Sequence, residues 1–430
     1  NPRSSHSIHG TQRTARGIGP HGEHMIPMVD LRAQYASIKK EVDAAVLDVL
    51  ASGQFALGPQ VSAFEEEFAA YSGARYGVAV NSGTSALHLS LLAAGVGPGD
   101  EVITAPNSFV SSTGCIVLLG ATPVFVDVQQ DLNINTEQIE RAITSKTRAI
   151  IPVHMTGHPA DMSPIIKIAK SYGLAIIEDS AQAVCSEYNG QMVGSFGSVG
   201  CFSLHPLKTL NACGDGGVVT TNDEEIYNKI RLLRNMGLEK RDNAKIWSSN
   251  SRLDTIQAAL LLVKLSYLEQ WIKQRISNAH FYQKELGDIN EISIPKDSIN
   301  GKSTYHTFVI QAQDRDDLKQ YLKTNGISTA IHYPIPIHLQ KAAKFLKHKK
   351  GDFPIAESQS NTILSLPIHQ HLTRIQLEYV CNNINNFYSY NGYHINKYPL
   401  SISDFNAQII NYWSGDNTIH SAVIDNKNNL

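Results

Sequence analysis

A chain of 430 residues exceeds one ordinary domain and implies two or three, and 42% hydrophobic against 18% charged residues describes a globular protein with a large core. A net charge of -2 with both signs mixed excludes the basic footprint of a nucleic-acid binder or of a protein held on an anionic membrane, and no apolar run reaches the roughly 18–20 residues of a membrane span. The five cysteines (Cys115, Cys185, Cys201, Cys213, Cys381) are scattered, odd in number and without metal spacing, so they read as reduced thiols of a cytoplasmic protein with no metal site.

Residues 1–24 are polar and aperiodic and read as a flexible leader or cloning remnant ahead of Met25. "VDLRAQYASIKKEVDAAVLDVLAS" (29–52) has helical periodicity and stops at Gly53, and "VSAFEEEFAAYSG" (61–73) predicts a second glycine-stopped helix. Short β-branched runs then alternate with helical stretches: "YGVAV" (76–80), "EVITAP" (101–106), "TPVFVDV" (122–128), "TRAIIPVH" (147–154), "LAIIED" (174–179) and "GCFSL" (200–204). Several are apolar at consecutive positions, as strands covered on both faces are. The alternation predicts an α/β fold with a doubly wound, mainly parallel sheet. Near residue 255 a long amphipathic helix begins and leads into a smaller α+β domain. Its expected elements are a strand (307–313), a helix (316–326), a strand "ISTAIHYP" (327–334) and a closing helix (373–390). The division expected is a large domain over 25–270, a small C-terminal domain over 271–390, and a tail over 391–430 that is rich in Asn and Ile and has no assigned role.

Three stretches carry chemistry. "NSGTSALHLSLL" (81–92) opens a helix with small residues after a strand. A helix start offers free N–H groups and a positive dipole end to an anion, although Gly-Thr-Ser is also an ordinary cap. "LAIIEDSAQA" puts Asp179 at the C-terminal end of an apolar strand, where open α/β sheets bind ligands; capping the next helix is the competing role. A buried carboxylate needs a cationic partner, and a protonated pyridine nitrogen is one. Lys208 follows one strand later, in "CFSLHPLKTLNACGDGG" (201–217). Lysines at turns ordinarily sit in water. This one is preceded by Ser203 and His205 and followed by glycines that let the backbone fold closely around a ligand. In a poorly solvated site a lysine loses its proton more readily and becomes a nucleophile toward aldehydes. Phosphate cradle, carboxylate and lysine, in that order, are what pyridoxal 5'-phosphate requires: Lys208 for the Schiff base, Asp179 for the pyridine nitrogen, the helix start for the phosphate.

The motifs "GPQVSAFEEEFAAY", "NSGTSALHLSL", "GDEVITAPNSFVSS", "IIEDSAQA", "FSLHPLKTLNACGDGGVVTTND", "NSRLDTIQAALL", "HYPIPIHL" and "GDFPIAE…LSLPIH" run in order between about Ile26 and Tyr388. Together they resemble the DegT/DnrJ/StrS family, the sugar aminotransferases of the fold-type I pyridoxal phosphate class. The resemblance implies that Thr84, Ser85 and Ser203 bind the cofactor phosphate, that Phe109 stacks on the pyridine ring, and that Gln182 reaches the ring hydroxyl side. It implies that Asn250 contacts the phosphate of a neighbouring subunit's cofactor, making a homodimer with shared active sites. His332 and Tyr333 would lie near the sugar, although "HYP" also suits a strand end turned by proline. His205 is expected beside the catalytic pair, and His338 either at the substrate or in simple structure. The implied reaction moves an amino group from glutamate, or glutamine, to a nucleotide-linked keto-deoxysugar, for a surface polysaccharide or a glycosylated metabolite. Some members are sugar dehydratases with histidine at the Schiff-base position; lysine at 208 favours transamination. A catalytically inactive regulatory relative is the remaining alternative, and the intact Lys208–Asp179 pair argues against it.

Overall fold

The structure is a computed structural model that describes residues 25–297 and 300–389. The leader and tail expected at 1–24 and 391–430 lie outside the described residues.

The β-branched runs become strands. Tyr76–Val80 (β1), Glu101–Thr104 (β2), Thr122–Phe125 (β3), Thr147–Ile150 (β4), Ala175–Asp179 (β5), Val199–Ser203 (β6) and Gly217–Thr221 (β7) form one sheet in the order β1-β7-β6-β5-β4-β2-β3. The pairs from β6 to β3 are all parallel, whereas β7 runs antiparallel to both β1 and β6. β7 is not among the strands expected from sequence, because the glycine-rich turn runs straight into its short "GVVTT".

Side chains alternate across this sheet with the two-residue period of a strand. Ile177, Cys201 and Val219 face one core, with Leu87 and Leu91 of the helix Gly83–Ala93. Phe202 and Val218 face another, with Phe64 and Phe68 of the helix Pro59–Tyr71. Ile176 packs on Ile165 and Ala169 of the helix Met162–Tyr172. Helices therefore cover both faces, which is why the strands read as continuous apolar runs.

The periodic stretch 29–52 is two helices, Leu31–Ser37 and Lys39–Ser52. Ile38 leaves helical geometry between them and is buried in a cluster with Leu260 and Trp271. Gly53 ends the second helix in the left-handed conformation (φ 68°), which a Cβ disfavours.

The long helix Thr255–Leu286 serves two cores. Leu261, Leu265 and Leu268 join Phe64 and Phe68; Ala279, Tyr282 and Leu286 join Phe308, Ile310 and Leu364. The second core sits on a three-stranded antiparallel sheet of Ile292–Ser293 (β8), Phe308–Ala312 (β9) and Ile363–Leu366 (β10). Ile26, at the start of the described chain, also belongs to it. The strand expected at 327–334 does not form. Ile327 pairs with Ile26 and Ala330 with Ser365, so the segment takes two different partners and never builds a ladder; β10 takes the place beside β9.

Candidate active site

A cleft of about 430 Å³ opens where β5 and β6 end. Its walls come from the start of the helix Gly83–Ala93, the start of the helix Val110–Leu118, the ends of β5 and β6, the loop through Lys208, and the segments at 306–307 and 332–333. Ligand sites at the C-terminal ends of parallel strands are the rule for open α/β sheets.

At the helix start, Ser82 caps the helix by accepting from Ser85 N (3.0 Å). Two glycines let this turn sit against the sheet. A Cβ on Gly83 would lie 2.7 Å from Ser203 Cβ, and one on Gly217 would lie 2.4 Å from the Ser82 backbone. Ser82, Gly83, Thr84 and Ser203 thus line one wall. Thr84 Oγ1 is 2.8 Å from Ser111 Oγ. Ser85 is not among the lining residues; its Oγ donates to Asn81 Oδ1 at 2.6 Å.

Asp179 ends β5 in the opposite wall, buried. Its Oδ2 accepts from Ser112 Oγ (2.7 Å) and its Oδ1 from Ala181 N (3.2 Å). Burial pushes the carboxyl above the usual range, and those two bonds together with the charge of Lys208 only partly oppose it. Lys208 reaches the same cleft. Burial lowers its pKa to about 8, with Asp179 pulling weakly the other way.

The loop that carries Lys208 is tied at several points. Leu204 N donates to Gly216 O (2.8 Å), Ala212 N to Leu204 O (2.7 Å) and Lys208 N to His205 O (2.8 Å). Asn211 Nδ2 donates to Lys208 O (3.0 Å), and Lys264 of the long helix donates to Asn211 O (2.8 Å) and Oδ1 (2.5 Å). His205 lines the cleft and is exposed.

Phe109 keeps 54% of its surface exposed although it is a large apolar residue, and its ring lies 5.7 Å from that of Tyr333. Gln182 accepts from Thr156 N (2.8 Å) and donates to Tyr333 OH (3.4 Å). Burial, reinforced by Asp179, pushes the Tyr333 hydroxyl up to about 12, so it keeps its proton. His332 Nδ1 is 2.8 Å from Ser365 Oγ, and burial together with Lys208 pushes its pKa down to about 4.

Two more expected site residues do not line the cleft. His338 is buried, 3.0 Å from Glu357 Oε1 and packed on Phe353. Asn250 is exposed, and its Oδ1 accepts from Arg252 N (3.4 Å). His306 and Thr307 line the cleft without having been singled out in the sequence. The one signal was a histidine placed just before an expected strand. Ser112 and Lys264 were also missed, since only long-range contacts reveal them.

The donor set fits pyridoxal 5'-phosphate. A half-enclosed lysine with a lowered pKa faces a buried carboxylate, beside a helix start that Gly83 lets pack closely on Ser203, under a bare aromatic ring. Fold and cleft define a pyridoxal-phosphate-dependent transferase of the aminotransferase class. The chain belongs to the DegT/DnrJ/EryC1/StrS aminotransferase family, whose profile matches residues 36–385. It is 42% identical over 366 residues to the pleiotropic regulatory protein of Geobacillus stearothermophilus, covering 84% of this chain and 98% of that one. It is 41% identical to dTDP-3-amino-3,4,6-trideoxy-alpha-D-glucose transaminase of Streptomyces venezuelae, covering 82% and 93%. Among solved structures it resembles S. venezuelae DesV in complex with a ketimine intermediate, with a TM-score of 0.83, 40% identity and 85% and 99% coverage. Among the described residues no helix is long and apolar enough to cross a membrane.

Proposed function

We propose that the protein moves an amino group from glutamate, or glutamine, to the keto group of a nucleotide-linked deoxysugar. The observation that carries this is the Lys208–Asp179 pair in one cleft. The named activity of the Streptomyces relative supports the sugar and its nucleotide. A regulatory reading, suggested by the Geobacillus relative's name, leaves the paired lysine and carboxylate without a purpose.

Pyridoxal phosphate, when bound, supplies an aldehyde that holds an amine and a ring that withdraws electrons. Lys208 Nζ holds the cofactor covalently. As a free amine Lys208 Nζ would move a proton on and off the donor's α-carbon, a task suited to a group whose pKa burial lowers to about 8. Asp179 keeps a proton on the ring nitrogen, with Ser112 orienting its carboxylate. The 82–84 turn and Ser203 hold the phosphate, and Phe109 covers the ring face. His332 and Tyr333 contact the sugar, with Tyr333 OH as a donor. Ping-pong kinetics follow from the covalent exchange. The active unit is a homodimer in which Asn250 of the partner subunit completes the phosphate site; its exposure, and the fact that it does not line its own cleft, support this reading. The five unpaired cysteines support a cytoplasmic location.

The test supplies the enzyme with pyridoxal phosphate, glutamate and a dTDP-linked keto sugar, and follows the sugar by mass spectrometry. An amino sugar formed with stoichiometric 2-oxoglutarate is the expected result. A protein that loads the cofactor but returns an eliminated, amine-free sugar is a dehydratase. For the shared site, inactive Lys208→Ala and Asn250→Ala proteins are refolded together with the cofactor limiting. Heterodimers that regain activity support it, and heterodimers that stay inactive refute it.

A further inference from the structure

Adjacent residues of a strand face opposite sides of its sheet. Asp179 ends β5 on the cleft side, so Glu178 faces away from the cleft, on the side of Ile176. Glu178 is fully buried, and four donors meet its two carboxyl oxygens. Oε1 accepts from Phe196 N (2.8 Å) and Gly197 N (2.7 Å). Oε2 accepts from Gly194 N (2.7 Å) and lies 3.2 Å from His154 Nε2. A Cβ on Gly197 would lie 2.5 Å from Ile176 O, so the close approach of this loop depends on glycine.

His154 is fully buried as well. Its Nδ1 accepts from Ala160 N (3.0 Å), which leaves the proton of a neutral ring on Nε2, where it donates to Glu178. The backbone of the same residue holds the end of β5: His154 N donates to Asp179 O (3.1 Å), and Asp179 N donates to Pro152 O (2.9 Å). Two residues on, Thr156 N donates to Gln182 Oε1 (2.8 Å), whose amide donates to Tyr333 OH (3.4 Å). One imidazole thus ties the segment 152–156 to β5, and that segment touches Asp179 at one end and the Gln182–Tyr333 pair at the other. All of these contacts lie within one subunit. Apolar packing would hold such a segment without burying a charge; what directional bonds add is a fixed position.

We propose that His154, held by Glu178, is a positioning residue that sets Asp179 against the ring nitrogen of the cofactor. This inference rests on the aminotransferase reading above. Asp179 can keep a proton on that nitrogen only at hydrogen-bond distance, and its carboxylate moves with its backbone. Ser112 fixes the side-chain end of Asp179, and the 152–154 segment fixes the backbone end. Without the imidazole–carboxylate bond the segment is free to shift along β5, and Asp179 draws away from the ring nitrogen. No covalent bond forms or breaks.

The test separates the two nitrogens of the imidazole. His154→Gln keeps an N–H near the place of Nε2, whereas His154→Asn keeps an acceptor near Nδ1 and loses the bond to Glu178. A ring nitrogen that loses its proton withdraws fewer electrons from the lysine linkage, so the linkage keeps its proton, and the ~420 nm band persists, to higher pH. His154→Asn is expected to raise the pH midpoint of that band by about one unit. It is also expected to lower kcat about tenfold or more at an unchanged amino-donor KM, in protein that a melting curve shows to be folded at the assay temperature. His154→Gln is expected to return both quantities toward wild type. If the Asn variant does not fold, Glu178→Gln takes its place with the same expectation. A folded variant without the Glu178 bond that shows only a lower melting temperature overturns the proposal, because a purely structural role predicts that and nothing more. A Gln variant as impaired in midpoint and kcat as the Asn variant overturns it too. A wild type that never acquires the ~420 nm band overturns the parent reading, and this one with it, before any variant is made.

Discussion

Two lysines, one on a loop and one beneath it, have different fates. Lys264 lies beneath the loop on the long helix, 4% exposed, with its ammonium on Asn211 O, Asn211 Oδ1 and, at 3.8 Å, Cys213 Sγ. Lys208 is carried by the loop into the cleft, where Asp179 is the charge that opposes the effect of burial. Burial lowers the pKa of both. Burial alone therefore does not mark a reactive amine. A lysine whose three protons meet acceptors is a strut; one enclosed without them is available for chemistry. The strut also serves the chemistry, because Asn211 links Lys264 to the carbonyl of Lys208.

The sharpest way to break this contrast is to remove each lysine in turn. Lys208→Ala is expected to abolish the ~420 nm band and to lower turnover by on the order of a thousandfold or more, with the apoprotein still folded. Lys264→Met is expected to keep the band and to lose about 1–3 kcal/mol of stability, because Asn211 is left with unsatisfied acceptors. A Lys264 variant without the band, beside a Lys208 variant that retains it, would reverse the two roles.

Asp179→Asn comes next. Removing one partner of a buried ion pair typically costs about 3–5 kcal/mol. At saturating cofactor, kcat is expected to fall by two to three orders of magnitude while the cofactor stays bound. A kcat near that of wild type would remove Asp179 from the mechanism. Gly83→Ala tests the wall between them. Its new Cβ would meet Ser203 Cβ at 2.7 Å, and overpacking of this kind costs about 1–3 kcal/mol. Weaker cofactor retention, measured by equilibrium dialysis, is expected.

The last effect is electrostatic and leaves turnover aside. The Lys208 pKa falls from 10.5 to about 8 on folding of the apoprotein. Below about 8 both states are protonated and the cost of burying the charge is fully present. Between about 8 and 10.5 the unfolded chain binds more protons, so stability rises with pH through that window. Denaturant titrations of wild type and Lys208→Met should converge as the pH rises through it; a gap that is constant with pH contradicts the assignment.

Much of this contrast was legible in the chain. Asp179 and Lys208 each follow a strand whose apolar run is unmistakable, so their place at the strand ends could be read locally. Thr84 and Ser203 were expected from the family resemblance, and both line the cleft. Ser85 was expected beside Thr84 but turns to Asn81, a distinction of helical phase that residue type does not encode. The parts that were not legible depend on distant segments meeting. His306 reaches the cleft because Arg275 and Gly157 hold its backbone, and Lys264 matters because Asn211, 53 residues away, folds onto it. His338 sits in the same kind of proline-bearing segment as His332, yet Glu357 draws it into packing. β10 displaced the expected strand at 327–334 because register in a small sheet is decided by which partners are free, not by β-branched content.

The central claim is that Lys208, and not another buried lysine, carries the cofactor. Borohydride reduction of the pyridoxal-phosphate-loaded protein, followed by peptide mass mapping, tests it most directly. The account predicts a single phosphopyridoxyl modification on the peptide containing Lys208. A modification at Lys264, a spread over surface lysines, or an unmodified Lys208 peptide in a protein that shows the ~420 nm band would contradict it.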